Sequence, residues 1–207
     1  MRTQLSGVLW IHSMPGPLQP HITWALARLS MPDGTKPGRD IWRATDQDAT
    51  LCAEVPFTAS ADTIATLVDN LARWPRLYFE LAQDPAVDDD GYAIDGMRYC
   101  HTPQLGTFAG QTDAAGNIVV NEDALRSIMA RGGDIEGTLD AAIGGPWDRV
   151  LEPMRMMTAG YAPEECFTTS TPAGPDSASG NSTAGNADLG WVEAANVLQL
   201  YPRRAAM

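Results

Sequence analysis

The feature that most constrains the fold is a repeated exchange between strand-type and helix-type hydrophobic patterns over residues 7–84. The run GVLWIHS (7–13) alternates as a strand does, which sets Leu9 and Ile11 on one face. Apolar residues at helical spacing follow this run, and Pro20 suits the first turn of a helix. The chain is therefore predicted to open with a strand and a helix, whose buried helical positions are Ile22, Ala25, Leu26 and Leu29.

A second unit repeats this exchange after a turn-rich loop. The runs DIWRATDQ (40–47) and LCAEVPFT (51–58) alternate and are predicted to form a hairpin. Ser60 is placed to cap a second helix, and Asp62 lies in its first turn, where a helix favours negative charge. The run RLYFELAQD (76–84) then returns as a strand. The expected inward positions are Leu51, Ala53, Val55, Phe57, Ile64, Leu67, Val68, Leu71, Leu77, Phe79 and Leu81.

The order of these elements, β-α-β-β-α-β, predicts an α+β fold class. It is typical of the ferredoxin-like fold, a four-stranded antiparallel sheet with both helices on one face. An acidic loop at 85–96 follows. The runs MRYCHT (97–102), GTFAGQT (106–112) and NIVV (117–120) then predict three appended β-strands.

Three C-terminal helices are predicted after these strands. Asn121 is placed to cap the first of them and Asp134 the second. The third, PWDRVLEPMRM (146–156), is expected to be interrupted at Pro153, because proline lacks the backbone N–H that a helix interior uses. The expected inward positions of the first are Leu125, Ile128 and Met129.

Composition divides the chain into three parts. Residues 1–167 carry the patterned elements and are predicted to form a single α+β domain. Residues 168–189 hold almost no large apolar side chains, which predicts a flexible low-complexity linker. Residues 190–207 regain tryptophan and branched apolar residues, so this C-terminal segment is expected to pack back on the domain.

Charge and cysteine content exclude several classes of function. The net charge of −12 and the pI near 4.5 argue against nucleic acid and against anionic membrane surfaces as partners. The three cysteines form no CxxC pair, which favours a reducing compartment. The first apolar run ends by Ile11, which is too short for a signal peptide or a membrane span. We therefore expect a cytoplasmic protein.

The candidate catalytic residues are His12, His21, His101 and Cys100. A convergence of the three histidines would suit acid–base chemistry or a metal, whereas a single histidine more often fills a polar position at the end of an element. Cys100 and His101 are neighbours in a predicted strand and therefore point to opposite faces, which favours a buried structural cysteine. Arg98 shares the Cys100 face and is expected to pair with a carboxylate such as Glu54 or Glu80.

Cofactor and metal motifs are missing from the sequence. No GxGxxG fingerprint, P-loop or GxSxG elbow occurs, and no HxxxH or CxxC spacing offers metal ligands. The run Asp88–Asp90 lacks the alternate spacing of a calcium loop and is interpreted as a solvated turn. We therefore predict no cofactor and no metal.

Three segments resemble a known family. GVLWIHSMPGPLQPHITWALARL (7–29), RYCHTPQLGTFAGQTDAAGNIVVNEDALR (98–126) and PWDRVLEPMR (146–155) together resemble an actinobacterial family of conserved hypothetical proteins, domain of unknown function number 3145. The likeness covers about residues 6–157, and the final GWVEAANV matches the family's tryptophan-containing end.

The chain departs from the family's pattern in three places. The family carries Cys-Pro-His where this chain has Gln19-Pro20-His21, which counts against a thiol-dependent mechanism at the first helix. The family also lacks the acidic insertion around Asp88–Asp90 and the long segment before the end. The resemblance implies no assigned reaction, and at most a link to fatty-acid metabolism.

Three functions remain open on the sequence alone. We favour a non-enzymatic binding or regulatory module that acts through an unknown protein partner or as a homo-oligomer. The alternative is a small-molecule-binding protein or an enzyme with a histidine-lined cleft, and the third is a structural accessory of a larger complex. Six tryptophans suit a binding role. The later helices and the C-terminal segment are expected to cover Trp10 and Trp42 on the second face of the sheet.

Overall fold

The computed structural model describes residues 3–45 and 49–158, and they form an α+β fold. A six-stranded antiparallel sheet is accompanied by a separate two-stranded hairpin. The strands are β1 (Gln4–Pro15), β2 (Trp42–Ala44), β3 (Thr50–Ser60), β4 (Tyr78–Gln83), β5 (Ala86–Val87), β6 (Ala93–Ile94), β7 (Gly96–Thr102) and β8 (Gly106–Thr112). The helices are α1 (Gln19–Leu26), α2 (Ala61–Leu71), α3 (Glu122–Arg131), α4 (Ile135–Ala142) and α5 (Gly145–Thr158).

The sheet is built around the long strand β1. Its strand order is β2-β3-β1-β4-β7-β8, and every neighbouring pair is antiparallel. The chain passes through β1, α1, β2, β3, α2 and β4 in the predicted order. β7 and β8 then extend the sheet beyond β4, as MRYCHT and GTFAGQT predicted.

The helices α1 and α2 cover one face of the sheet, which we call the helix-side face. Ser60 caps α2 by accepting a hydrogen bond from the backbone N–H of Thr63, and Asp62 lies in the first turn, as predicted. The predicted inward positions are buried there because strand alternation and helical spacing bring them to one core. Its members include Leu9, Ile11, Ile22, Leu26, Leu29, Val55, Phe57, Ile64, Leu67, Leu71, Leu77, Phe79 and Leu81.

The helix α5 packs on the opposite face of the sheet, against β1 and β7. Leu151 is completely buried there, in a second core with Cys100 and Phe108. The ring of Trp147 lies 5.3 Å from that of Phe108, and its indole Nε1–H donates to the backbone carbonyl of Gly106 at 2.9 Å. The second face is therefore held by apolar packing and a directed hydrogen bond.

Two predicted strands and one predicted loop need correction. β2 is only three residues long rather than the full run 40–47. The run NIVV (117–120) is not a strand, because a single bridge between Thr112 and Ile118 is its only described ladder contact. The acidic loop, in contrast, contains the hairpin of β5 and β6. Each of these strands has only two residues, so the sequence shows no alternating pattern long enough to predict them.

The predicted break at Pro153 is wrong. α5 continues through Pro153 to Thr158. A proline inside a helix costs about 3 kcal/mol because one backbone hydrogen bond is lost and the ring crowds the preceding turn. Tertiary contacts on both sides of the proline, from Leu151 and Arg155, outweigh this local cost.

Two predictions of side-chain placement are also wrong. Trp42 lies on the helix-side face, because it pairs with Ala53 of that core and its indole N–H donates to Thr23 Oγ1 at 2.8 Å. In α3, Leu125 and Met129 are exposed and Ile128 is buried. This helix therefore contacts the rest of the protein along a narrower stripe than its apolar residues suggested.

The predicted linker (168–189) and C-terminal segment (190–207) lie outside the described residues, so both assignments stay predictions. Within the described part of the chain, no helix combines the length and the apolar character that crossing a bilayer requires.

Candidate functional site

His12 lies on the α5 side of the sheet and is buried, with 4% of its surface exposed. Its Nε2 is 2.8 Å from Glu80 Oε2 on the neighbouring strand β4. Its Nδ1 lies 3.5 Å from the hydroxyl of Thr158 at the end of α5. Both ring nitrogens therefore contact groups of the protein itself.

His101 lies on the helix-side face, where it stacks on Phe79 with ring centroids 5.1 Å apart. Its Nδ1 is 2.8 Å from the hydroxyl of Thr107 on β8. Burial lowers the pKa of this imidazole, because the charged form loses its hydration. His101 is thus a packed histidine at the border of the larger core.

His21 is exposed on α1, and its ring stacks on Trp74 with centroids 5.5 Å apart. Among the described residues, no hydrogen bond or ring contact joins any two of the three histidines. Their surroundings differ as well, since two are buried on opposite faces of the sheet and one is exposed. The structure does not bring them together, and a catalytic role for any of them stays a prediction.

Cys100 is buried, with 1% of its surface exposed, as the strand alternation favoured. Its Sγ lies 3.4 Å from Glu80 Oε1, while His101 points to the other face. Burial and the nearby Glu80 carboxylate raise the pKa of the thiol well above its ordinary value. Because the thiolate is the nucleophile, this environment suppresses the reactivity of Cys100.

The buried environment of Cys100 predicts slow alkylation in the native protein. At neutral pH we expect Cys100 to react with iodoacetamide at least about 100-fold more slowly than in the urea-unfolded chain. Peptide mass spectrometry after timed quenching measures both rates. Native alkylation as fast as that of the unfolded chain would show an accessible, activated thiol and contradict the structural role.

Ionisable side chains surround the buried Glu80 in a contact set that we call the charged cluster: Glu80, His12, Arg98, Arg155 and the partly exposed Asp148. Glu80 Oε1 accepts from Arg98 at 2.9 Å and from Arg155 Nη2 at 2.6 Å. Glu80 Oε2 accepts from Arg155 Nε at 2.7 Å. Asp148 accepts hydrogen bonds from both Arg98 and Arg155, so these two arginines bridge the two carboxylates.

The predicted pairing of Arg98 with Glu80 is confirmed, and the alternative partner Glu54 is exposed. Burial alone would raise the pKa of the Glu80 carboxyl, but hydrogen bonds from Arg155 and His12 and the charge of Arg155 hold it well below its usual range. Glu80 is therefore an ionised carboxylate inside the protein.

The carboxylate of Glu80 is saturated with hydrogen bonds. A carboxylate offers about four acceptor positions, and the two oxygens of Glu80 already meet Arg98, Arg155, His12 and the Cys100 thiol. No acceptor position remains for a substrate. Since Arg155 comes from α5 and Glu80 from β4, the arrangement suits fastening the helix to the sheet.

A groove is lined by α1, the last turn of α2 and the residues that follow each of these helices. It has a cavity volume of about 720 Å³. We define this aromatic–arginine groove by five of its lining residues: His21, Trp24, Arg28, Arg73 and Trp74. Trp24 is 74% exposed, although large aromatic side chains normally bury most of their surface.

The aromatic–arginine groove carries positively charged side chains, whereas the chain as a whole is negatively charged. The protein has a net charge of −12, yet Arg28 and Arg73 are exposed and no Asp or Glu lines the groove within the described residues. An aromatic wall with cationic groups suits a ligand that combines negative charge with an aromatic or apolar side chain.

The sequence contained one usable signal for this groove. The buried stripe of α1 places Ile22, Ala25 and Leu26 inward. Trp24 falls outside that stripe and therefore had to face outward. The participation of Arg73 and Trp74 depends on how α2 packs beside α1, which no local pattern specifies.

Within the described residues, no group of three potential ligands is arranged to hold a metal ion. The fold and the groove together define an α+β protein with an antiparallel sheet and a surface-exposed aromatic and cationic groove. The family described as "Protein of unknown function (DUF3145)" matches residues 8–165. The chain therefore belongs to this family. No curated protein and no solved structure matches it.

Proposed function

We propose that the protein is a non-enzymatic binding module whose site is the aromatic–arginine groove and whose partner presents an acidic segment with an aromatic side chain. One observation carries the proposal. An exposed tryptophan and two exposed arginines surround a groove that no Asp or Glu of the described residues lines, in a strongly acidic protein. Tryptophan and arginine are the side chains most enriched among the residues that dominate binding energy.

The charged cluster supports a binding role rather than a chemical one. The Glu80 carboxylate has no free acceptor position, and the thiol of Cys100 beside it has a raised pKa. The groove offers the complementary features: accessible area, a partly fixed ring in Trp74, and guanidinium groups able to bind carboxylates in pairs. The favoured function therefore lies at the groove.

We also propose that β1–β4, α1 and α2 form a ferredoxin-like unit. The support is their chain order together with the adjacency β2-β3-β1-β4, in which each neighbouring pair is antiparallel. This unit presents the outer surfaces of both helices on one side of the sheet, where the groove lies.

A peptide titration tests the binding role. The probe is the pentapeptide Asp-Asp-Tyr-Asp-Asp, followed through the indole N–H signals of Trp24 and Trp74 in two-dimensional NMR. We expect both signals to shift and the control peptide Lys-Lys-Tyr-Lys-Lys to leave them in place. The double substitution Arg28→Glu/Arg73→Glu is expected to weaken binding at least about tenfold, because like charges then face each other.

A matched control separates local charge from net charge. Arg126→Glu/Arg131→Glu changes the net charge equally at two exposed arginines of α3. This variant should bind the acidic peptide within about twofold of the unmodified protein, since its changes fall outside the groove lining. An equal loss of peptide affinity in both double variants, or no indole shift at all, would show that the groove is not the binding site.

A small aromatic anion is the second candidate ligand. The volume of about 720 Å³ falls within the range of small-molecule sites, and His21 stands on the wall. Titration with an aromatic carboxylate such as phenylacetate distinguishes the two. Binding of phenylacetate more tightly than the acidic peptide would favour the small molecule.

A further inference from the structure

The hairpin of β5 and β6 presents acidic and aromatic side chains at its turn. The carboxylate of Asp88 accepts hydrogen bonds from the backbone N–H groups of Asp90 at 3.0 Å and Tyr92 at 2.7 Å, which fixes the turn. Asp89 and Asp90 are exposed, and Tyr92 is 71% exposed. Residues 84–95 contain no Lys or Arg. The turn is therefore an ordered acidic surface with an aromatic side chain at its tip.

The base of this hairpin is fixed to the protein. Ala86 and Ile94 pack against the helix-side core, and the backbone N–H of Asp84 donates to the backbone carbonyl of Ser6 on β1 at 2.9 Å. None of the hairpin residues lines the aromatic–arginine groove. Within one copy, Tyr92 and Trp24 both remain largely exposed, so the acidic turn does not fill the groove of its own chain.

We propose that the acidic turn of one copy, Asp88–Tyr92, docks into the aromatic–arginine groove of a second copy. The inference rests on the proposed function, because it names the occupant of the same groove. Charge complementarity carries it: exposed Asp89 and Asp90 face a site with exposed Arg28 and Arg73. Tyr92 supplies the aromatic anchor.

The contact joins two different surfaces of the same chain, so it is heterologous. Aromatic packing of Tyr92 against Trp24 and Trp74 gives the contact its apolar part. The arginines are positioned around that aromatic wall, where they bind the carboxylates of the turn. Because ionic contacts at a surface weaken with salt, the association falls as ionic strength rises well above about 0.15 M.

Charge reversal in the full chain tests the docking. Sedimentation velocity of the unmodified protein from micromolar to millimolar concentration should show concentration-dependent association. Asp89→Lys/Asp90→Lys, and separately Arg28→Asp/Arg73→Asp, should each weaken it at least about tenfold. All four positions are exposed, so the variants keep the fold, which circular dichroism checks.

Mixing the two charge-reversed variants tests whether the turn and the groove contact each other directly. An equimolar mixture of the two charge-reversed variants pairs each groove with a turn of opposite charge, so association should return to within about threefold of the unmodified protein. The control Asp123→Lys/Glu136→Lys makes the same charge change at exposed acids near the starts of α3 and α4 and should associate as before. No rescue, or a monomeric unmodified protein at millimolar concentration, would overturn the docking.

The outcome also separates this inference from the proposed function. Indole shifts of Trp24 and Trp74 with the acidic pentapeptide, in a chain that stays monomeric, would overturn self-docking and leave the binding module standing. Self-association that the Arg28→Asp/Arg73→Asp change does not weaken, together with no peptide binding, would overturn both.

Discussion

Replacing Glu80 by glutamine is expected to lower the free energy of unfolding by about 3–5 kcal/mol, the cost of removing one partner from a buried ion pair. Glutamine keeps the shape of the side chain but loses its charge. Its NH₂ group is a donor and cannot accept the hydrogen bonds that Arg98 and Arg155 donate. Urea denaturation followed by circular dichroism measures the loss. A change below about 1 kcal/mol would contradict the role of the charged cluster as a fastener of α5.

Glu54→Gln is the matched control for this substitution. Glu54 and Glu80 both stand opposite Trp10 on strands flanking β1, so they share a face and a register level. Glu54 is exposed, whereas Glu80 is buried. The control should change the free energy of unfolding by no more than about 0.5 kcal/mol.

The pH dependence of the Glu80→Gln effect has a defined sign. The folded-state pKa of Glu80 lies well below its ordinary value of 4.5, so its contribution is fully present above about pH 4.5 and is lost as the pH falls. The stability difference between the unmodified protein and Glu80→Gln should therefore shrink below about pH 4.5. Ionisable groups remote from Glu80 are the same in both proteins, so their contributions cancel in the difference. A difference that grows on acidification would contradict an ionised, stabilising Glu80.

Phe79→Ala is expected to destabilise the protein by about 3–5 kcal/mol, because it deletes a fully buried ring and leaves a cavity. Phe79 is the neighbour of Glu80 on β4 and points to the helix-side core, where His101 stacks on it. Water entering the cavity should also raise the lowered pKa of His101 towards 6.5. Chemical denaturation measures the first effect and NMR titration of the imidazole the second.

Trp24→Ala is the corresponding control at an exposed aromatic position. Its effect on the free energy of unfolding should stay within about 0.5 kcal/mol, because Trp24 is 74% exposed. Comparable destabilisation by Trp24→Ala and Phe79→Ala would mean that Trp24 belongs to a packed region and not to an open groove.

Local periodicity was sufficient to predict the helix-side core. Strand alternation in β1 and β3 and helical spacing in α2 each specify which residues face inward, and one core satisfies all of them. The caps at Ser60, Asn121 and Asp134 were predictable for the same reason, because a cap depends on residues three positions away. These elements agree with their own local sequence.

The second face could be predicted only in part. Arg98 and Glu80 lie on neighbouring strands of one sheet, so their pairing followed from alternation. Arg155 is 75 positions from Glu80, and its helix was expected to break at Pro153. Local rules assign a cost to that proline, whereas the packing of Leu151 and the pairing of Arg155 decide the outcome.

The groove illustrates the same limit for function. The sequence drew attention to the histidines, because their charge changes near neutral pH. Only His21 stands in the groove, and there it stacks on Trp74. The groove residues come from the outward side of α1 and from the segments that follow α1 and α2. Neither an outward helix position nor a residue after a helix carries a periodic hydrophobic signal.

We assign binding to the aromatic–arginine groove and stability to the charged cluster on the other side of the sheet. The most direct test is the affinity of folded Glu80→Gln for the acidic pentapeptide, read from the indole signals of Trp24 and Trp74 under conditions that keep the variant native. We predict an affinity within about twofold of the unmodified protein, since the two regions share no residue. A loss of about tenfold or more in a natively folded variant would place the charged cluster in the binding site and contradict the division of binding and stability between the two regions.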